Sequence, residues 1–393
     1  MVRARAQGPV VEPLASLTLR VLDGLTDVPR EAWDALLRPH ASPFVEHTWL
    51  SCLEESGCVG ERTGWLPRHL ALFEGEELVA AAPAYVKGNS EGEFVFDWSW
   101  ADLAARLGID YYPKLLLAVP FTPATGDRVL VRPDRDRRET IAVFASAVKT
   151  LVKELGLSSA HVNFPHEEEA RIWTTDGGFM LRHGVQYHWH NQAPPFASYE
   201  AFLATLPQKK RTQIRRERKQ PAMDGVVIRT LEKHEYTRER AHTMYELYTT
   251  TVDKYFYGRR YLRRPFFELV AERFSDRLSW VVAERNGETI ASAFNIAKDG
   301  VLYGRYWGAH VDLPFLHFNV CYYHGVDEAI REGFTRFNPG AGGEHKRVRG
   351  FRPTMTFSAH HVAHPKLHAI LDAHLARERS AIADYIAKGG DDE

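Results

Sequence analysis

The sequence predicts an α/β (α+β) protein built from two similar halves, each a mixed, largely antiparallel sheet flanked by helices. Three observations carry that prediction. The chain has 393 residues, 44% of them apolar and 26% charged, which is material for two cores rather than one. Stretches of alternating apolar residues are interleaved with amphipathic stretches of helical spacing. The order of elements also occurs twice: residues 76–87 (EELVAAAPAYVK) lie over 287–298 (GETIASAFNIAK), with alanines and the final lysine coinciding.

In the first half, LTLRVLDGL (17–25) alternates as a strand, and 28–37 and 46–56 have helical spacing. Residues 68–87 read as a hairpin turning around Gly75, and EFVFDWSW (93–100) as a further strand. Residues 138–156 form an amphipathic helix with Gly156 as its stop. A strand over 158–164 and one or two more over 177–191 precede the proline-containing connector 192–199. The second half repeats the order: a strand over 225–231, a helix over 236–254, and a second helical stretch through Glu268 and Arg273. Three consecutive strands follow over 278–308, turning at Asn286-Gly287 and Asp299-Gly300; Asn-Gly between apolar runs is the strongest short hairpin signal. A helix from about 315 to 332 stops at Gly333, strands are expected over 334–340 and 354–362, and Pro365 opens a last helix.

A net charge of −1 provides no global attraction to nucleic acid or anionic membrane, so any such attraction must come from local patches. Three cysteines without framework spacing imply a reducing compartment. No signal-peptide core and no bilayer-spanning apolar run are visible, so a cytoplasmic protein is expected. The expected organisation is a disordered leader (1–16), an N-terminal half (17–193), a C-terminal half (194–363), and a closing helix and tail (364–393).

Strand, two helices, three antiparallel strands, helix, strand and a closing element is an order that resembles the GNAT acyltransferase fold. Two such halves resemble the Fem transferases. The stretches SPFVEHTWLSCLEESG, FDWSWADLAARLGIDYYPKLLLAVPFTPATGDRVL, KKRTQIRRERK, YGRRYLRRPFFE, LYGRYWGAHVDLPFLHFNVCYYHGVDEAI and NPGAGGEHKRVRGFRP are similar to the FemAB-like group of peptidoglycan biosynthesis or recognition. The resemblance implies tandem GNAT-like domains with a splayed sheet that admits an activated acyl donor. That donor is aminoacyl-tRNA in Fem ligases and acyl-CoA in other relatives, used as a co-substrate with no tightly bound cofactor.

Candidate site residues fall in five stretches. Residues 339–353 (PGAGGEHKRVRGFRP) hold four glycines and four Lys or Arg. Bare backbone turns amides toward an anion, and Lys346, Arg347 and Arg349 add charge. Glu344 or His345 is the candidate base for an amine nucleophile. Lys346 with Gly350-Phe351 also resembles a Lys before Gly-Phe in Fem ligases. In GRYWGAH, Arg305, Trp307 and Gly308 partly match the GNAT pyrophosphate loop, although His310 and Pro314 depart from it. Arg211, Arg215 and Arg218 share one helical face suited to phosphates or to a solvated surface. Asp97, Trp98, Tyr111, Tyr112 and Lys114, with prolines at 113, 120 and 123, are expected to wall an acceptor groove or to pack the halves together. Tyr322 and Tyr323 are candidate general acids. His317, Cys321, His324 and Glu328 share a helix face, but no tight metal-ligand pair is present and no metal site is expected.

The leading function is N-acyl or aminoacyl transfer from a carrier to a primary amine, such as a cell-wall precursor or an amino-acid-like metabolite, with tRNA a candidate partner. The alternative is a non-catalytic module of the same fold that recognises peptidoglycan precursor or nucleic acid.

Overall fold

The computed structural model describes residues 17–254 and 259–389. The expected leader, and the first two residues of the YGRRYLRRPFFE stretch, lie outside them. The first half supplies β1 (Leu17–Leu22), β2 (Leu66–Pro67), β3 (His69–Glu74), β4 (Glu77–Ala82), β5 (Ala84–Lys87), β6 (Lys114–Leu117), β7 (Leu130–Val131), β8 (Ser159–Asn163) and β9 (Met180–His190). The second supplies β10 (Val227–Thr230), β11 (Val281–Arg285), β12 (Glu288–Lys298), β13 (Val301–Ala309), β14 (Arg336–Asn338) and β15 (Arg352–Val362).

The hairpin signals turn the chain where expected. Asn286-Gly287 and Asp299-Gly300 all take positive φ, which is what a tight two-residue turn between twisted strands requires. The helix Arg238–Val252 is capped by the Thr237 side chain, which accepts from the amide of Arg240. Two expectations fail. Residues 93–97 form no strand, because Glu93 and Asp97 turn inward to the buried Lys114 and Phe94 takes φ +61°. The helix expected over 315–332 is interrupted by a π-turn at Asn319–Tyr323 between Leu316–Phe318 and His324–Arg331.

One sheet of four strands has the order β1-β3-β4-β7, and an eleven-stranded sheet runs β10-β11-β12-β13-β14-β9-β15-β8-β6-β5-β2. Its centre has an approximate two-fold arrangement. β13 pairs parallel with β14, and β6 parallel with β8, while β9 and β15 run antiparallel between them. The halves therefore exchange strands: β9 of the first half pairs with β14 of the second, and β15 of the second pairs with β8 of the first. A cut between residues 193 and 194 would part β9 from β14 and β15, and β15 from β8, within the eleven-stranded sheet, while the four-stranded sheet lies wholly in the first half. The apolar core is shared as well, with Trp49 packed edge-on to Phe266 at 5.2 Å and Phe44 edge-on to Tyr303 at 5.1 Å. Burying each such ring is worth roughly 2–3 kcal/mol, so the halves hold one another in place.

Candidate active site

Parallel neighbours β13 and β14 stay paired only from Val301 to Tyr303 on the β13 side. Beyond Tyr303, β13 continues to Ala309 while β14 ends at Asn338 and gives way to the glycine-rich loop. Gly304 lets the two chains diverge from close range, since a Cβ there would stand 3.2 Å from Pro339 Cα. The gap is a cavity of about 160 Å³. The equivalent gap in the first half, beyond β6 and β8, is crossed by the chain itself. The Gly126 amide donates to the Phe164 carbonyl at 3.1 Å, and the buried Arg128 donates through Nε to the Asn163 carbonyl at 2.6 Å. Of the two splayed positions, the second-half one is open.

Three elements converge on that cavity. From the sheet comes Arg305, the extra residue of a β-bulge: Phe294 faces Tyr306 and Asn295 faces Gly304, so Arg305 has no partner across the ladder. The bulge turns its side chain toward the first half, where it donates to the Phe121 carbonyl. Asn295 is 1% exposed, and its Nδ2 has no acceptor. From the helix, the π-turn widens the backbone so that Cys321 and Tyr322 reach the gap, together with His317, whose ring lies 4.4 Å from that of Trp307. From the loop comes Lys346, which is 2% exposed and donates to the Gly340 and Ala341 carbonyls at 2.8 and 3.2 Å. Residues Glu344–Arg349 wind into a 3-10 turn between Gly343 and Gly350, both at φ +88°.

The electrostatics follow from burial. Lys346 is pushed down to about 8 because its ammonium is desolvated with no nearby carboxylate to favour it. Burial also takes His317 down to about 4. His345 is lowered by burial and by the charges of Lys346 and Arg349, so it is neutral at physiological pH. Its Nε2 lies 3.0 Å from Tyr322 Oη. Burial raises the Tyr322 phenol, so it remains the proton carrier of that pair.

Several sequence candidates have other work. Glu344 and His345 are both exposed and neither lines the cavity; His345 meets it through Tyr322, at 3.0 Å, and Glu344 takes no part in that contact. Arg349, 4% exposed, is locked by Glu217 at 2.8 Å and lies over the Phe318 ring; Tyr323 donates to the same Glu217. Arg349 thereby ties the loop, and Tyr323 the π-turn, to the helix Gln208–Met223. Gly350 and Phe351 pack this junction, Gly350 against Phe202 and Phe351 against Tyr322. Gly308 lies inside β13 rather than in a loop, and a Cβ there would meet the Leu247 carbonyl oxygen at 1.6 Å. Its role is close packing of strand on helix.

The expected acceptor wall is instead a buried network: Lys114 Nζ donates to Asp97, Glu93 and Ser90 at 2.5, 3.0 and 2.9 Å, and Tyr111 donates to Asp97 at 2.7 Å. Tyr112 bonds Ser90 at 2.8 Å, whereas Trp98 stands 52% exposed against Phe96. Arg211 donates to the Leu206 carbonyl, while Arg215 pairs with Glu200 and Arg218 with Asp327, so two of the three charges of this face are met by its own neighbours. Exposed Lys209, Arg216 and Lys219 lie on the same helix. His324 and Glu328 both bond Thr230 and stand apart from His317.

The family model for FemAB-like proteins, described as peptidoglycan biosynthesis or recognition, matches residues 24–392. The chain belongs to the FemAB-like family. FemX is similar in fold at 11% identity, with 88% of this chain and 98% of that one covered and a TM-score of 0.51. L-PGS from Bacillus licheniformis aligns at 10% identity, 83% and 95% coverage and a TM-score of 0.49. A tandem GNAT protein from the clavulanic acid biosynthesis pathway aligns at 11%, 89% and 99%, and 0.45. No curated protein matches the chain. Among the described residues of this FemAB-like protein, no helix is long and apolar enough to cross a membrane.

Two participants in the FemAB-like cavity escaped the sequence reading. Asn295 sits inside a strand whose apolar neighbours hid it. Its only signal was a polar residue at a position that should face the core. His317 was read only as part of a helix face, and nothing in the sequence pairs it with Trp307.

Proposed function

We propose that this FemAB-like protein is an N-acyl or aminoacyl transferase whose reaction takes place in the cavity between β13 and β14. The observation that carries this is the pairing of Tyr322 and His345 at 3.0 Å beside a cavity that also holds the unpartnered Nδ2 of Asn295. A neutral imidazole can take the proton of an entering amine as it attacks an activated acyl carbonyl. Asn295 Nδ2 donates to the tetrahedral oxyanion within the positive field of Lys346. On collapse, the C–O or C–S bond to the carrier breaks and the leaving group takes the Tyr322 proton. His345 then returns the amine's proton to the phenolate, so the net transfer is from amine to leaving group.

Acyl-CoA and aminoacyl-tRNA are both candidate donors, and the amine belongs to a small molecule or cell-wall precursor. The connection 310–315 contains Pro314 and ends at Phe315 with φ +61°, followed by only three α-helical residues, which is a poor amide platform for a pyrophosphate. The exposed Lys209, Arg216 and Lys219 offer a surface for a carrier's phosphates.

The test is amide-product formation by mass spectrometry, with an acyl-CoA panel in one arm and charged tRNA in the other, each with a panel of primary amines. Tyr322→Phe is expected to lower turnover about 10²-fold or more with little change in donor affinity. Unchanged turnover in that variant, or no amide in either arm, would defeat the proposal.

A further inference from the structure

Two imidazoles that the transfer reaction does not use face each other in the middle of the eleven-stranded sheet. His161 of β8 and His360 of β15 are register partners, each 1% exposed, with Nδ1 to Nδ1 at 2.7 Å. Strand alternation puts Ser159 and Ser358, each two residues away, on the same face. The Ser159 hydroxyl lies 2.8 Å from His161 Nε2, and the Ser358 hydroxyl 2.8 Å from His360 Nε2. Beyond Ser159, Ser158 Oγ lies 3.2 Å from Ser159 Oγ and donates to the Tyr111 carbonyl. The side chains therefore form one continuous hydrogen-bonded chain from the partly exposed Ser158 to Ser358.

A carbonyl can only accept, and that fixes the direction of every proton along the chain. The Ser158 O–H is spent on Tyr111, so Ser158 Oγ accepts the Ser159 proton. Ser159 Oγ must then accept from His161 Nε2–H. Burial holds both imidazoles neutral, so His161 Nδ1 carries a lone pair and accepts from His360 Nδ1–H. His360 Nε2 is left as a lone pair, which takes the Ser358 hydroxyl proton. The outcome is a serine hydroxyl aimed at an imidazole base, with that base held in one tautomer by a second imidazole.

Ser358 lines a cavity of about 280 Å³ with walls of Phe94, Phe96, Phe164 and Ile382, which shares only Ala341 with the transfer cavity. Arg182 and Glu378, also in its lining, cancel each other's charge. Phe96 is 55% exposed and stacks on Trp98 at 4.9 Å, so the cavity has an aromatic rim. Thr356, two residues from Ser358 on the same face, lines it as well; a Cβ at Gly184 would stand 2.7 Å from its Oγ1. We propose that Ser358 is the nucleophile of a second site, which takes an uncharged ester with an aromatic or branched apolar acyl group. Ser358 Oγ bonds to the acyl carbon as its proton passes to His360 Nε2, and Thr356 O–H donates to the oxyanion. On collapse the ester C–O bond breaks and the alcohol leaves with the proton from His360. Water then attacks the acyl-serine, giving a proton to His360, which returns it to Ser358 Oγ as the acid departs. His161 is a positioning residue that fixes the tautomer of His360.

The test treats the full chain with phenylmethanesulfonyl fluoride, maps the adduct by peptide mass spectrometry, and follows nitrophenolate release from para-nitrophenyl phenylacetate before and after. A benzylsulfonyl group on Ser358, with loss of the release, is the expected result. No adduct, an adduct confined to other residues, or release that survives a labelled Ser358 would overturn the proposal. Ser358→Ala and His360→Gln, checked for folding by circular dichroism, should each lower release about 10²-fold or more. Release that persists in folded Ser358→Ala, or that is lost in Tyr322→Phe instead, would place it elsewhere and overturn the second site. NMR of the wild-type chain carrying isotope-labelled histidine needs no variant, so a misfolded mutant leaves the proposal falsifiable. It should show His360 protonated at Nδ1 and His161 at Nε2. A proton on His360 Nε2 would overturn the proposal, because Ser358 would then face a donor and have no base. Amide transfer is not measured in any of these arms, so failure here leaves the transfer reading standing, and failure of that reading leaves this site standing.

Discussion

Replacing Lys346 by Met should change how stability depends on pH in a way no exposed lysine could. Its ammonium is lowered from 10.5 to about 8, mainly by burial, and the side chain is almost entirely inside the protein. Each pH unit of that drop corresponds to about 1.4 kcal/mol, so folding with Lys346 charged carries an electrostatic cost of about 3 kcal/mol. The sign is fixed by proton binding. Between about pH 8 and 10.5 the native state has released the proton while the unfolded chain still holds it, so stability rises with pH across that window. Below about pH 8 both states are protonated and the cost is present in full. Met removes the charge but strands the carbonyls of Gly340 and Ala341, at about 1–3 kcal/mol each, so near neutral pH the two proteins should be within a few kcal/mol of one another. The diagnostic quantity is the difference between them. Urea unfolding from about pH 7 to about pH 10 should show wild type gaining roughly 3 kcal/mol relative to Lys346→Met above pH 8. Parallel stability curves would refute the uncompensated-cation account of the cavity, because a lysine already paired with an anion has no such increment to recover.

Arg349→Met should destabilise the fold by about 3–5 kcal/mol in chemical denaturation, because Glu217 would be left charged and buried; a loss of substrate affinity at unchanged stability would return Arg349 to the binding machinery. Glu344→Ala should leave turnover within about twofold of wild type, since the proton relay runs through the His345–Tyr322 contact, in which Glu344 takes no part; a large fall in turnover at unchanged affinity would reinstate it as the base.

Much of the fold was readable because it rests on local signals. The Asn-Gly and Asp-Gly turns, the Gly156 and Gly333 helix stops and the repeated strand order each depend on a few adjacent residues, and each appears where the chemistry demands it. Residues 93–97 misled for the complementary reason: their apolar alternation is a strand signal, yet the pull of Lys114 on Glu93 and Asp97 comes from residues about twenty positions away. The same applies to Arg215 and Arg218. A basic helical face is visible in sequence, while Glu200 and Asp327, which neutralise it, arrive by folding.

From its residues alone the chain determined two halves of one topology, and it determined that Lys346 would sit between glycines able to bend around a ligand, because turn geometry and periodicity are properties of neighbours. Tertiary structure alone decided that the halves exchange β9 and β15, that Gly126 and Arg128 bridge the first-half gap, and that Lys346 is buried with no carboxylate beside it. Those are outcomes of strand pairing and burial between segments distant in the chain. The free energy of such contacts depends on which groups are excluded from water together, and that is fixed only once the whole sheet has closed.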